Sequence, residues 1–133
     1  MTVKVLDSWA LMAFFQDEAA AQAVEEIIHK AATEKVTLLL SVVNWGEVYY
    51  GMLRAGGKAA AESAAADLSR MPIEIVDAGL QVAKQAAIYK ASNRISYADA
   101  FAAGLAKIKA AGLVTGDREF RALEKEIKID WLV

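Results

Sequence analysis

A chain of 133 residues that is 56% hydrophobic carries enough apolar material for one core, which argues against disorder. With no cysteine and a single histidine, His29, it can form neither a disulfide framework nor a thiolate or multi-histidine zinc site. Any metal must then be a hard cation held by carboxylates. The net charge of −2 excludes a global positive field that would draw the protein onto nucleic acid, but not an enzyme whose metal supplies positive charge locally.

In chain order, Val3-Lys-Val-Leu6 is a short apolar run with β-branched residues, followed at once by Asp7-Ser8, and it predicts a buried strand turning into a helix. The opening residues lack the basic flank and apolar core of a signal peptide, and no stretch of roughly 20 apolar residues occurs. A single domain, 1–133, in a soluble cytoplasmic protein with no membrane association is therefore expected. Trp9 to Phe15 is a continuous apolar run, which suits a buried helix or a surface kept for a partner. Asp17-Glu18 signals the start of a second helix, in which Ala20, Val24, Ile27, Ile28 and Ala31 recur at helical spacing.

Val36 to Leu40 reads as the second strand, with Ser41 capping a helix from about Val42 to Leu53. Its apolar stripe is predicted as Val42, Trp45, Val48, Tyr49, Met52 and Leu53, with Glu47 opposite, beside Asn44, Gly51 and Arg54. Ala55-Gly56-Gly57 ends that helix, and an alanine-rich helix follows from Lys58 to Arg70. Pro72 separates it from a third strand, Ile73 to Val76. Ala78 to Asn93 predicts a helix with Leu80, Ala83, Ala87 and Ala91 on its apolar stripe. Ser96-Tyr-Ala-Asp99 opens the next, with Tyr97, Phe101, Gly104, Leu105 and Ile108 facing the core and Asp99 opposite. Leu113 to Thr115 is the fourth strand, Arg118 to Glu126 a short helix, and Ile127, Ile129 and Trp131 alternate as a closing strand. Strands separated by helices imply βαβ units, a mainly parallel sheet and right-handed crossovers.

Asp7 follows the first strand and Asp117 the fourth, so parallel strands would bring both carboxylates to one edge of the sheet, where open α/β folds bind ligands. Glu47 and Asp99 lie on helix faces away from the main apolar stripes, and each can look into a cleft at that edge. Each acid also has a plain structural explanation. Asp7 and Asp117 suit helix caps, Glu47 suits a solvent-facing pair with Arg54, and Asp99 suits a first-turn acid after Ser96.

Taken together, Val-Leu-Asp7-Ser8, Asn44-Trp-Gly-Glu47 with Tyr50-Gly51, Tyr97-Ala-Asp99-Ala100, and Leu-Val-Thr115-Gly-Asp117 with Phe120 resemble the four motifs of the PIN-domain nucleases. In length and motif order the chain resembles the VapC toxins of bacterial and archaeal toxin–antitoxin pairs. That resemblance implies a three-layer α/β/α PIN-like fold around a central, mainly parallel five-stranded sheet, and a metal-dependent endoribonuclease. It implies Asp7, Glu47, Asp99 and Asp117 as the catalytic, metal-binding acids, holding Mg²⁺ or Mn²⁺, with Ser8, Thr115 and Asn44 as supporting candidates. Asn44 departs from the threonine or small residue of many relatives. Crowded carboxylates repel one another and take up protons unless a divalent ion neutralises them, so the chemistry is self-consistent.

Trp9, Leu11, Met12, Phe14 and Phe15, with Trp45, Tyr49, Met52 and Leu53, are expected in the core, or in part on a partner-binding patch. The toxin resemblance implies that the partner is a cognate antitoxin, docked near the first helices, and that the protein is a homodimer. Lys84, Lys90, Arg94, Lys107, Lys109, Arg118 and Arg121 are candidates to contact RNA phosphates, or form a solvated charged face. A receiver or haloacid-dehalogenase-like phosphatase also places aspartates at strand ends. It needs a second acid close to the first and a lysine after a later strand, neither of which is present here. The alternative is a non-catalytic PIN-fold module that binds RNA or protein, against which the presence of all four acids argues.

Overall fold

The computed structural model describes residues 2–133. Five strands, β1 (Thr2–Leu6), β2 (Val36–Ser41), β3 (Ile73–Val76), β4 (Gly112–Thr115) and β5 (Ile129–Trp131), form one sheet in the order β3-β2-β1-β4-β5. Every pairing is parallel. The helices are α1 (Ser8–Phe15), α2 (Ala21–Thr33), α3 (Val42–Arg70), α4 (Leu80–Ser92) and α5 (Tyr97–Ile108), with a 3₁₀ turn over Arg118–Leu123.

Because successive strand residues point to opposite faces, each central strand feeds two cores. Val5, Leu39 and Leu113 pack with α4, α5 and the 3₁₀ turn, whereas Leu6, Leu38, Leu40 and Val114 pack with α1, α2 and α3. The sheet is thus covered on both faces, which gives the expected three layers. The chain steps outward from β1 through β2 to β3 and returns on the other side of β1 as β4. The β1/β4 boundary is therefore the topological switch point, the place at the carboxyl edge where open α/β sheets bind their ligands.

Local signals set most boundaries. The Ser41 hydroxyl accepts from the Val43 amide at 3.2 Å and starts α3, and the Ser96 hydroxyl accepts from the Asp99 amide at 3.0 Å and starts α5. Gly57, at φ 82°, breaks the helical path of α3 where Gly56-Gly57 was expected to end a helix. Asp17-Glu18 precedes α2, whose first helical residue is Ala21. Ile127 is buried but lies outside the closing strand. No helix among the described residues is long and apolar enough to cross a membrane.

Some predicted faces turn out otherwise. On α4 the buried residues are Val82, Ala86 and Tyr89, while Leu80, Ala87 and Ala91 are exposed and Ala83 is half-buried. Alanine makes several faces of this helix about equally apolar, and packing against Gly104 decides among them. A Cβ at Gly104 would lie 3.2 Å from the Ala86 amide nitrogen and 3.3 Å from the Val82 carbonyl. On α3 the Asn44–Val48 side is buried, whereas Val42, Tyr50 and Leu53 are exposed. α5 is buried all round from Asp99 to Ala106, so its two-faced reading underestimates how central it is; Tyr97 is half exposed.

Candidate metal centre at the carboxyl edge

The β1/β4 register pairs Leu6 with Val114, so the next residues, Asp7 and Thr115, stand side by side at the carboxyl edge. Both are fully buried. The Thr115 hydroxyl donates to Asp7 Oδ2 at 2.5 Å and accepts from the Asp117 amide at 2.9 Å, so it ties the two strand-end aspartates together. Asp7 Oδ1 accepts from the Ala10 amide at 2.9 Å and caps α1. Asp117 likewise caps the 3₁₀ turn, its Oδ1 accepting from the Glu119 amide at 3.0 Å. The capping role of each is therefore present together with its place in the acidic cluster.

Glycine at position 116 has a steric cause. The indole of Trp9, from the first turn of α1, lies against its Cα so closely that any Cβ there would overlap the ring. Trp9 thereby presses on the corner between Thr115 and Asp117.

Asp99 reaches the site from the first turn of α5 and is only 7% exposed. Glu47 reaches it from the second turn of α3, half-buried, with Oε1 accepting from Asn44 Nδ2 at 3.0 Å. Asn44 Nδ2 also donates to the Ala98 carbonyl at 3.1 Å and so links α3 to the start of α5. Both neighbours are acceptors, which orients the amide nitrogen toward them and leaves Oδ1 buried without a hydrogen bond. Asn44 is thus wholly buried beneath Glu47, not on the wall of an open cleft. The Ser8 hydroxyl makes no hydrogen bond among the described residues, and Glu47 makes no ion pair with Arg54.

The electrostatics show how close the acids are. Burial pushes Asp7 up from 3.8 to about 7, against the opposing hydrogen bonds from Thr115 and Ala10 and with the charges of Asp117 and Glu47 adding to the rise. Burial pushes Asp99 to about 8, reinforced by the charges of Asp117, Asp7 and Glu47. No lysine or arginine among the described residues forms an ion pair with any of the four.

A fifth acid joins them. Asp99, Asp117 and Glu119 offer carboxylate oxygens within 4.8 Å of one another, and Asp7 and Glu47 are not part of that tight trio. Glu119 was not singled out in the sequence, and its one signal was the Asp-x-Glu spacing that follows the fourth strand. An all-oxygen, uncompensated set of this kind suits a hard divalent cation.

These features define a class. The chain belongs to the PIN-domain family, whose PIN domain model matches residues 4–126. No curated protein matches it by sequence. Among solved structures it is similar to VapBC2 from Rickettsia felis bound to a promoter DNA fragment, with a TM-score of 0.76 at 17% identity over 97% of this chain and 98% of that one. The DNA-bound VapBC from Salmonella typhimurium gives 0.74 at 20% identity over the whole of both chains. VapC20 from Mycobacterium tuberculosis, a sarcin–ricin loop cleaving toxin, gives 0.71 at 18% identity over 90% of this chain and 93% of that one. At such identities the likeness is one of fold.

Proposed function

We propose that this protein is a divalent-metal-dependent endoribonuclease and the toxin of a toxin–antitoxin pair. The observation that carries the reading is that Asp7, Glu47, Asp99 and Asp117 act on one another's charge at the switch point while none of them forms an ion pair with a lysine or arginine among the described residues. Membership of the PIN family supports the nuclease part, and the likeness to VapBC structures supports the toxin part.

Asp99, Asp117 and Asp7 would hold Mg²⁺ or Mn²⁺, with Glu119 as a further oxygen donor from the trio. Such an ion supplies a lowered pKa for water at the site and offsets the charge that develops on the phosphate during attack. Glu47, held by its hydrogen bond from Asn44, would orient the attacking water or add a ligand. Thr115 acts through Asp7 and Asp117 as a positioning residue, its donor and acceptor functions both committed. With its carboxylates neutralised, the site admits a phosphodiester that its bare charge would repel.

The partner reading rests on the junction of α1 and α3. Phe14 and Phe15 pack edge to face, Trp45 and Tyr49 stack at 5.4 Å, and these rings are only half-buried, beside the exposed Tyr50 and Leu53. An antitoxin segment seated there would direct a basic side chain to the acids. A homodimer is part of the same proposal, and a monomer at micromolar concentration in light scattering would remove it.

Purified protein is expected to cut structured RNA in Mn²⁺, while an Asp7→Ala variant prepared identically does not. Equal cleavage by both samples would trace the activity to a contaminant and defeat the nuclease reading.

A further inference from the structure

We propose that the cleft beside the acidic centre, formed by Arg118, Arg121, Glu124 and Trp131, binds one unstacked nucleotide of the RNA next to the scissile phosphate. The inference rests on the nuclease reading and adds the path taken by the substrate. The cleft has a volume of about 290 Å³, near the small end of ligand sites, and Val133 completes its lining.

Its position follows from the fold. Arg118 directly follows Asp117, and the β4/β5 register pairs Thr115 with Trp131, so the indole lies one strand away from the residue that ties the acids together. The 3₁₀ turn has three residues per turn and stacks positions i and i+3 in one column. Arg118 and Arg121 therefore stand one above the other, with Glu124 a further three residues on. An α-helix would have fanned these side chains apart.

The chemistry of the cleft is that of a nucleotide. Two guanidiniums side by side repel each other, and neither forms an ion pair among the described residues, unlike Arg70, Lys4 and Lys128. A phosphate accepting from both removes that repulsion, and guanidinium geometry matches phosphate oxygens in bidentate fashion. The half-buried indole of Trp131 offers a face for a base to stack on. Glu124 supplies an acceptor for a base amino or imino group, a function without use for a free inorganic anion. Only a base already out of its helical stack can enter so small a cleft, which selects single-stranded or looped RNA.

The test uses the full chain in a cleavage-deficient Asp7→Asn background. Binding of a short labelled single-stranded RNA is followed by fluorescence anisotropy across a salt series, and Mn²⁺ binding is measured separately on each protein. Arg118→Ala/Arg121→Ala is expected to weaken RNA binding by about tenfold or more and to flatten the slope of log affinity against log salt by about 0.7, the value for the one phosphate that both arginines hold. Its Mn²⁺ affinity stays within about twofold. Trp131→Leu is expected to weaken binding about tenfold with the salt slope unchanged, the mark of lost stacking. Because both arginines are exposed, their double variant decides the matter even if Trp131→Leu does not fold. If the parent binds RNA and the arginine variant matches it in affinity and slope, the cleft proposal is wrong and the nuclease reading stands. If the wild-type protein neither binds nor cuts RNA, both fall.

Discussion

Two acidic regions of the same sheet behave in opposite ways. Asp130, on β5, is answered by Lys4 at 3.0 Å and by Lys128 at 3.8 Å. The Lys4 pair spans β4 where Gly112 lies; a Cβ there would meet the Asp130 carboxylate. Asp7 and Asp99, at the carboxyl edge, are more deeply buried and are surrounded by further acids. A sheet that pairs one carboxylate with two lysines leaves several others with no ion pair among the described residues. Charge balance, more than the presence of acids, separates a structural aspartate from one held ready for a cation.

The largest effect that would sharpen this contrast is on activity. Asp99→Asn is expected to lower RNA cleavage by about 10²–10³-fold or more, as does chelation of divalent ions with EDTA, while Asp130→Asn leaves the rate within about twofold. A rate assay over these three conditions checks it, and equal losses from Asp99→Asn and Asp130→Asn would erase the distinction.

The pH dependence comes next. Asp7 and Asp99 titrate higher in the folded than in the unfolded chain, so the folded state holds the extra protons. The stability they contribute is fully present below about pH 4 and is lost as pH rises through about 7 and then about 8. Metal-free protein should lose up to roughly 4 kcal/mol from Asp7 and somewhat more from Asp99 across that window, upper figures at about 1.4 kcal/mol per pH unit between the unfolded and folded values. Asp7→Asn should flatten the curve and stabilise the metal-free protein above pH 7. Urea unfolding at several pH values, with and without Mn²⁺, checks both, since an ion that replaces the protons reverses the trend. Stability that climbs between pH 5 and 8 without metal would contradict the assigned environments.

A smaller effect is expected at Thr115. Thr115→Val keeps the shape but removes the donor to Asp7 and the acceptor for the Asp117 amide, and should weaken Mn²⁺ binding about 10–100-fold. Thr115→Ser should restore most of it, and a calorimetric titration of the three proteins decides. The smallest effect is at the balanced pair. Lys4→Met should change stability by less than about 1 kcal/mol, because the pair is partly exposed, and should leave Mn²⁺ affinity unchanged.

Much of the fold was legible in the sequence because its causes are local. Val3–Leu6 and Val36–Leu40 read as strands from their β-branched and leucine runs, Ser41 and Ser96 as caps, and Gly57 as a break. The acids were legible for a related reason: each sits just past a strand or in the first turns of a helix, and a parallel sheet brings such positions to one edge. Glu119 was not, since its approach to Asp99 depends on a 3₁₀ turn in place of the expected helix. Nor was the buried face of α4, where alanine on every side leaves the choice to the close approach of Gly104.

By itself the sequence determined the alternation of strands and helices, the placing of Asp7 and Asp117 after strands, of Asp99 in the first turn of a helix and of Glu47 on a helix face, and the hard, all-oxygen character of any metal site. Periodicity, caps and residue chemistry act over a few residues and need no knowledge of the rest of the chain. Only the tertiary structure decided that Thr115 joins Asp7 to Asp117, that Trp9 packs on Gly116, that Asn44 lies buried beneath Glu47, and that no lysine or arginine among the described residues pairs with the cluster. Those outcomes depend on desolvation and on charge–charge interaction, which are set by everything packed within several ångströms, however distant it is along the chain.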